Sequence, residues 1–531
     1  LPDLLLHNAE IRTMNPAAPL AEWALMRAGK IAAIGAGAPP DCAQKIDAKG
    51  RLVLPGFQDA HIHLLSGGVD LVSAAYLYDA TNEAQLVAAL AELARAKPHL
   101  PIVLGAGWQA GFFCDDTLSA AVVDRAVADR PALIYDSSFH NACLNTRAMD
   151  MAGLQTMRDP PNGHILRDAH GRATGMLHEE VIALVLERLP ALGDDVWHDG
   201  LRAAMSHANA HGITGVLDPR VTGQEARIYA SAAQSAALTL RVAGAALVTE
   251  SDTPEGVLAR LTALRAAHNG PDFHIHSAKF FMDGVFENRT AACLAPYADA
   301  AGGAAGCMFT DAQTRALFTA LDGARFAIHV HVIGDAAARR ALDGLQAARR
   351  TNGLWPAQHQ LAHLQLLASD DFARLQGLAT ANIQPLWARI EPPYSDPSLA
   401  MIGPARELLT YAFRDMLTCG VDFCLSSDWP VSTLNPFEIM ETAITRQKRA
   451  DDAPMPPFYA DQALTIDECL QGYTLNAARA CWRSDDTGML RTGYSADMIM
   501  LDRDITTCAA QDISKTRVLL TLFKGNAVFS A

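Results

Sequence analysis

The chain has 531 residues, a formal net charge of −15, half of its residues hydrophobic and 19% charged. That size and composition can fill a large core and argue against global disorder, and the acidic balance repels phosphate backbones, so no nucleic-acid partner is expected. Ten cysteines without a C-x-x-C pair argue against a zinc ribbon or disulfide framework, and no apolar run spans a bilayer, so no membrane partner is expected.

The start, Leu1-Pro2-Asp3, lacks the basic n-region of a signal peptide, which favours a cytoplasmic location. It also lacks an initiator Met, which keeps a removed leader as the alternative. The first runs, "PDLLLHNAEIRTM", "EWALMRAGKIAAIG" and "QKIDAKGRLVLPG", are short apolar strands broken by Gly and Asn turns. "SADMIMLDRD" and "RVLLTLFKGNAVFS" repeat that texture near the end. Residues 1–55 and 485–531 are therefore predicted to form one composite β-sandwich.

Between them, residues 56–79 and 193–484 alternate strand-like runs with helical stretches. The runs are "GFQDAHIH", "GITGVLDP", "LTLRVAGAAL", "FHIHSAKFFMDG", "RFAIHVHVIGD", "HQLAHLQ", "LATANIQP" and "VDFCLSSDWP". Such alternation implies parallel βαβ units, and eight of them predict an α/β fold of the (β/α)₈ TIM-barrel type. Residues 80–192 break the rhythm after strand one. An insertion there sits on the barrel's C-terminal face and is read as a substrate-capping subdomain, a decorative surface domain being the alternative. Trp108, Phe112 and Phe113 within it are candidates to line an apolar pocket, or simply core.

The chemistry starts at His61-Ile62-His63, whose i, i+2 spacing puts both imidazoles on one face of a strand end, as a divalent metal requires. Asp59 shares that face one step deeper. Lys279 lies inside an apolar strand, where a buried ammonium is costly unless paired or changed; carbamylation would make it a carboxylate able to bridge two cations. His331 is preferred over His329 as a ligand because it lies nearer the strand's C-terminal end, leaving His329 deeper. His363 follows on the sixth run. Asp428 ends the eighth, where a carboxylate can bind metal and accept a proton. Asp283 and Asp335 follow strands as turn residues or as partners behind the ligands.

The order H-x-H, Lys, His, His, Asp on strands one, four, five, six and eight resembles the amidohydrolase superfamily, in the branch that includes N-substituted formamide deformylase. "LPGFQDAHIHL", "KFFMDGVFENRTA", "HVIGDAA", "AHLQ", "SSDWPV" with "NPFE", "TLNAARA" and "GYSADMIMLDRD" carry the resemblance over nearly the whole chain. It implies a binuclear centre, with Zn²⁺ the expected ion, and places His140, Asn145 and Glu179 near the substrate. Read from the residues alone, His140 and Asn145 are loop polar groups or helix caps. Two departures stand out: the bulky Trp429 after Ser426, Ser427 and Asp428, expected to narrow the pocket, and the second histidine of "HVH".

The implied reaction is hydrolysis of an amide or related non-peptide C–N bond of a small N-acyl or N-formyl compound by a metal-bound hydroxide. His61, His63, carbamylated Lys279 and Asp428 would hold one ion, and Lys279, His331 and His363 the other; Asp428 would also move the proton. A mononuclear deaminase is the nearest rival, disfavoured because Gly334 and Asp335 stand where a glutamate is expected after the fifth-strand histidine. A non-catalytic, metal-stabilised binding protein is the rival from another class. The expected partner is a small-molecule substrate; homo-oligomer formation is left open.

Overall fold

The computed structural model describes residues 3–115, 117–390, 397–448 and 455–531. Its centre is an eight-stranded parallel sheet of β1 (Phe57–Asp59), β2 (Ile213–Val221), β3 (Arg241–Leu247), β4 (Phe273–Phe281), β5 (Ala327–Val332), β6 (Gln360–His363), β7 (Thr380–Ile383) and β8 (Phe423–Leu425). Each strand pairs with the next in chain order. The apolar runs form strands because both of their faces are covered, by the lumen and by the surrounding helices; β5 is buried at every position.

The sheet nearly closes on itself. Between β8 and β1 the seam is held by the Asp428 N–H donating to the His61 carbonyl at 2.8 Å. The Ser427 N–H donates to the Asp59 carboxylate at 3.2 Å, and Asn382 Nδ2 to the Ala60 carbonyl at 2.9 Å. Closure thus falls where the ligand candidates of the first and last strands sit.

The two ends of the chain share a six-stranded sheet: Glu10–Arg12 and Leu52–Pro55 pair into it beside Met498–Leu501 and Val518–Phe523. A four-stranded sheet from the N-terminal residues packs on it over Leu6, Ile11, Ile31, Val53, Met498 and Leu522. Arg241, at the start of β3, joins this sandwich to the barrel through buried bonds to Asp497 and to Ser495 Oγ, the latter at 2.6 Å.

After β1 the chain enters helix Leu64–Ser73 and then a separate six-stranded sheet running from Ala74–Tyr76 to Ala173–Glu179, so the added sheet starts ahead of residue 80. This insertion has its own cores, one around Leu86, Trp108 and Val123, the other around Leu133, Leu144 and Val181. It is tied to the barrel wall by helix Leu64–Ser73 against helix Asp194–Ala210, where Gly68 lies on the Gly200 backbone so closely that a Cβ on either would overlap the other helix.

Candidate metal centre

His61 and His63 leave the end of β1 in the irregular segment before helix Leu64–Ser73, and Asp428 ends the segment after β8. The seam bonds bring them together. Asp428 Oδ1 lies 3.4 Å from His61 Nε2 and 3.3 Å from His63 Nε2, and Oδ2 lies 3.9 Å from His363 Nδ1. Among the described residues, His61, His363 and Asp428 form a buried group whose ligand atoms lie within 4.8 Å of one another. His331 stands against His363 with ring centroids 4.5 Å apart, its Nε2 3.3 Å from the Gly284 carbonyl.

Lys279 pairs in register with His329 on β5 and is fully buried, its Nζ 4.5 Å from the Phe281 ring centroid and without a hydrogen-bond partner. Burial pushes its ammonium down to about 7; the Asp428 charge opposes that shift and the Arg220 charge adds to it. Burial also drives His61, His329, His331 and His363 well below the usual imidazole range, and the Lys279 charge contributes at each. Neutral imidazoles with their lone pairs free are the form that binds a metal.

Three buried polar atoms in this cluster have no hydrogen-bond partner: Lys279 Nζ, His329 Nδ1 and Asp428 Oδ1. Orphaned buried groups are costly. A divalent cation held by imidazole nitrogens and the Asp428 carboxylate would relieve that cost at Asp428 Oδ1, so His61, His363 and Asp428 fit the metal that the H-x-H pattern calls for. The backbone is strained here as well, since His363 (φ +77°) and Asp428 (φ +55°) both occupy the left-handed region. Such positions cost about 1–3 kcal/mol each and persist where surrounding bonds over-determine them.

Those surrounding bonds are visible. Asp59 accepts the His61 N–H at 3.2 Å as well as that of Ser427, fixing both ligand segments from below. His329 Nε2 lies 2.8 Å from His61 Nδ1, so the first histidine of "HVH" sits behind His61 and orients it. Asp283 accepts the N–H groups of Ile333, at 3.0 Å, and Gly334, at 2.8 Å, holding the turn after His331. Asp335 accepts the Leu294 N–H at 2.8 Å from the first turn of helix Asp335–Asn352.

One group behind the ligands escaped the sequence reading. Gln384, at the end of β7, meets His363 Nδ1 at 2.9 Å through Oε1, and its Nε2 donates to Asn382 Oδ1 at 3.1 Å and Ser426 Oγ at 2.7 Å. The signal was present: Asn382 and Gln384 are polar at i, i+2 in a fully buried run, and buried amides need partners.

The insertion brings some of its expected residues to the centre and not others. His140 Nδ1 meets Glu179 Oε2 at 2.7 Å, and the His140 ring lies 5.8 Å from that of His331. Burial lowers the His140 pKa, but the Glu179 charge and hydrogen bond outweigh it and raise it to about 9. Glu179 Oε1 accepts from Thr290 Oγ1 at 2.8 Å and Asn288 Nδ2 at 3.1 Å, linking the insertion to the loop after β4.

Two expectations are corrected. Asn145 is sealed inside the insertion: it accepts from Ala132 and Ala148 N–H and donates to the Val127 and Arg130 carbonyls, so it caps helix Thr146–Ala152 and has no group left for a substrate. Trp108 is 2% exposed and packed in the insertion's core, and Phe113 is buried with it. The Trp429 ring packs against helix Leu64–Ser73 at Gly67, near His207 of helix Asp194–Ala210. A Cβ on Gly67 would overlap that ring. Gly67→Ala should therefore destabilise the protein by about 1–3 kcal/mol, the usual cost of overpacking. An unchanged denaturation midpoint would show that Trp429 is not wedged there.

The model of the Amidohydrolase family matches residues 44–529. N-substituted formamide deformylase of Arthrobacter pascens is 28% identical over 98% of this chain and 97% of its own length. Protein LONG AFTER FAR-RED 3 of Arabidopsis thaliana is 26% identical over 99% of this chain and 91% of its own length. The crystal structure of an uncharacterized metal-dependent hydrolase from Pyrococcus horikoshii superposes with a TM-score of 0.76 at 22% identity, covering 96% of this chain and 99% of that one, a likeness of fold.

Proposed function

The chain belongs to the amidohydrolase family, and on that premise we propose that this hydrolase cleaves an amide or related non-peptide C–N bond of a small N-acyl or N-formyl compound. The observation that carries the reading is the convergence of neutral imidazoles, one carboxylate and an unpartnered lysine at the C-terminal mouth of the barrel. The relative whose name specifies N-substituted formamides supports the bond type.

His61, His63, Lys279 as its carbamate and Asp428 would hold one divalent ion, and Lys279, His331 and His363 the other, with Zn²⁺ the ion that best suits imidazole and carboxylate donors. The tight group of His61, His363 and Asp428 draws on both of those sets. Bound there, the ions polarise the carbonyl and lower the pKa of water. Asp428 Oδ1, free of any hydrogen bond, takes the proton of the attacking water and passes it to the leaving nitrogen. The His140–Glu179 pair faces the centre from the insertion and would orient the substrate carbonyl or leaving group, so the insertion acts as a cap.

Metal analysis joined to a hydrolysis screen over N-formyl, N-acyl, ester and lactone compounds tests this reading. Turnover of the C–N substrates, abolished by chelator and restored by Zn²⁺, is expected. Turnover that survives complete metal removal, or that is confined to esters and lactones, would sink it. A narrower expectation concerns the cap: His140→Ala should raise KM by about 10-fold, the worth of one hydrogen bond involving a charged group, and leave metal content unchanged. Lost metal with unchanged KM would make His140 part of the metal frame instead.

A further inference from the structure

The N-terminal side of the barrel carries a groove that the metal centre does not use. A cavity of about 620 Å³ opens there between helix Pro254–Ala267, the turn before β5, and the rings of Trp355 and Trp482. Its lining residues Asn269, Arg325 and Trp355 precede β4, β5 and β6 in turn, whereas His61, His363 and Asp428 lie at or past the C-terminal ends of their strands. The volume is that of a small-molecule site, for which about 300–1,000 Å³ is usual.

The walls combine flat rings with positive charge. Trp355 and Trp482 lie nearly parallel, 18° apart, with ring centroids at 5.8 Å. The Arg325 guanidinium lies 5.3 Å from the Trp355 ring centroid, and among the described residues it has no hydrogen bond and no carboxylate. Arg265 lies across the Phe326 ring at 3.9 Å and donates from Nη1 to the Ala324 and Arg325 carbonyls, at 3.0 and 3.2 Å. Its charge is thus held in place without a counter-ion. None of the residues lining the groove is acidic, in a chain whose net charge is −15. Asp322, which accepts from Trp355 Nε1 at 2.8 Å, is fully buried and also spent on His359 Nε2 and Asn352 Nδ2. Trp482 Nε1 is buried without a hydrogen-bond partner.

We propose that this groove binds an aromatic anion, a planar ring carrying a phosphate or a carboxylate. The ring lies against the indoles and the anion takes the guanidinium of Arg325, with the Arg265 charge behind it. A guanidinium fork matches either oxyanion bidentately, and indole faces gain from covering by a second ring. A neutral ring leaves the charge unanswered, and a bare inorganic anion leaves the indoles wet. The groove lies on the opposite side of the barrel from the metal ligands, so the inference stands apart from the hydrolase reading.

The test is calorimetric binding to the zinc-loaded protein. It compares adenosine 5′-monophosphate with adenosine, 2-naphthoate with 2-naphthylmethanol, and both anions with inorganic phosphate. Arg325→Gln and Trp482→Leu are measured alongside. At least one aromatic anion should bind about 10-fold or more tighter than its neutral counterpart and than phosphate, and each variant should weaken that binding by about 10-fold or more. Which of the two anions binds tells a phosphate site from a carboxylate site. Equal binding of anion and neutral ring, or of anion and inorganic phosphate, overturns the proposal. So does binding that Arg325→Gln leaves unchanged, which would place the anion on the metal centre, and so does an absence of binding at about 1 mM. Arg325 is exposed and Trp482 Nε1 makes no bond, so both variants should fold, which circular dichroism verifies. If Trp482→Leu does not fold, Arg325→Gln and the inorganic phosphate comparison decide between them.

Discussion

Lys279→Ala should lose most of the activity, on the order of 10²–10⁴-fold in kcat/KM, together with bound metal, because it removes a group worth several kcal/mol of charge organisation at the centre. The argument starts from burial. Lys279 is fully buried and its Nζ has no partner, a state a permanent ammonium pays for heavily. Burial brings its pKa to about 7, so much of it is free amine at neutral pH. A free amine can add CO₂: the nitrogen forms a bond to carbon and a proton leaves, producing a carbamate. That anion replaces a charge that would repel divalent cations with one that binds them. Acetate or propionate added to Lys279→Ala should restore part of the activity by standing in for the carbamate. Peptide mass analysis of the active, metal-loaded protein that finds only unmodified Lys279 would reject the bridge and leave the histidines and Asp428 to hold a single ion.

Asp428→Asn is the second large effect. Removing a general base typically costs about 10²–10⁴-fold, and kcat should carry that loss with KM changing less. The substitution suits the position, since Asp428 sits at φ +55° and asparagine tolerates the left-handed region better than most residues. The Asp428 N–H to His61 carbonyl bond and the barrel seam should therefore survive. Metal content has to be followed in the same preparation. An unchanged kcat at full metal occupancy would show that Asp428 only closes the seam; a parallel loss of metal and kcat would make it a ligand first and a base second.

Much of the frame was legible in the chain. The eight strand-like runs are the eight strands of the barrel, and the two similar ends share one sheet. His329 lies against His61, with its Nε2 2.8 Å from His61 Nδ1. The departures lie between elements. Asn145 and Glu179 looked equally polar and equally near the substrate, yet Asn145 is consumed by four backbone groups and Glu179 faces His140. Trp108 looked like a pocket wall, but it is buried in the insertion's own core. Gln384 was passed over because no motif marks it, although a buried amide had to find a partner.

The division has a physical cause. Periods of two along strands and 3.6 along helices determine which face of an element a residue occupies, and those periods are written in the chain itself. They suffice to put Lys279 in a buried barrel strand before any fold is known. What a face meets is decided by packing between segments far apart in the chain. Only that packing set His61 against His329, joined His363 to Gln384 and sealed Asn145.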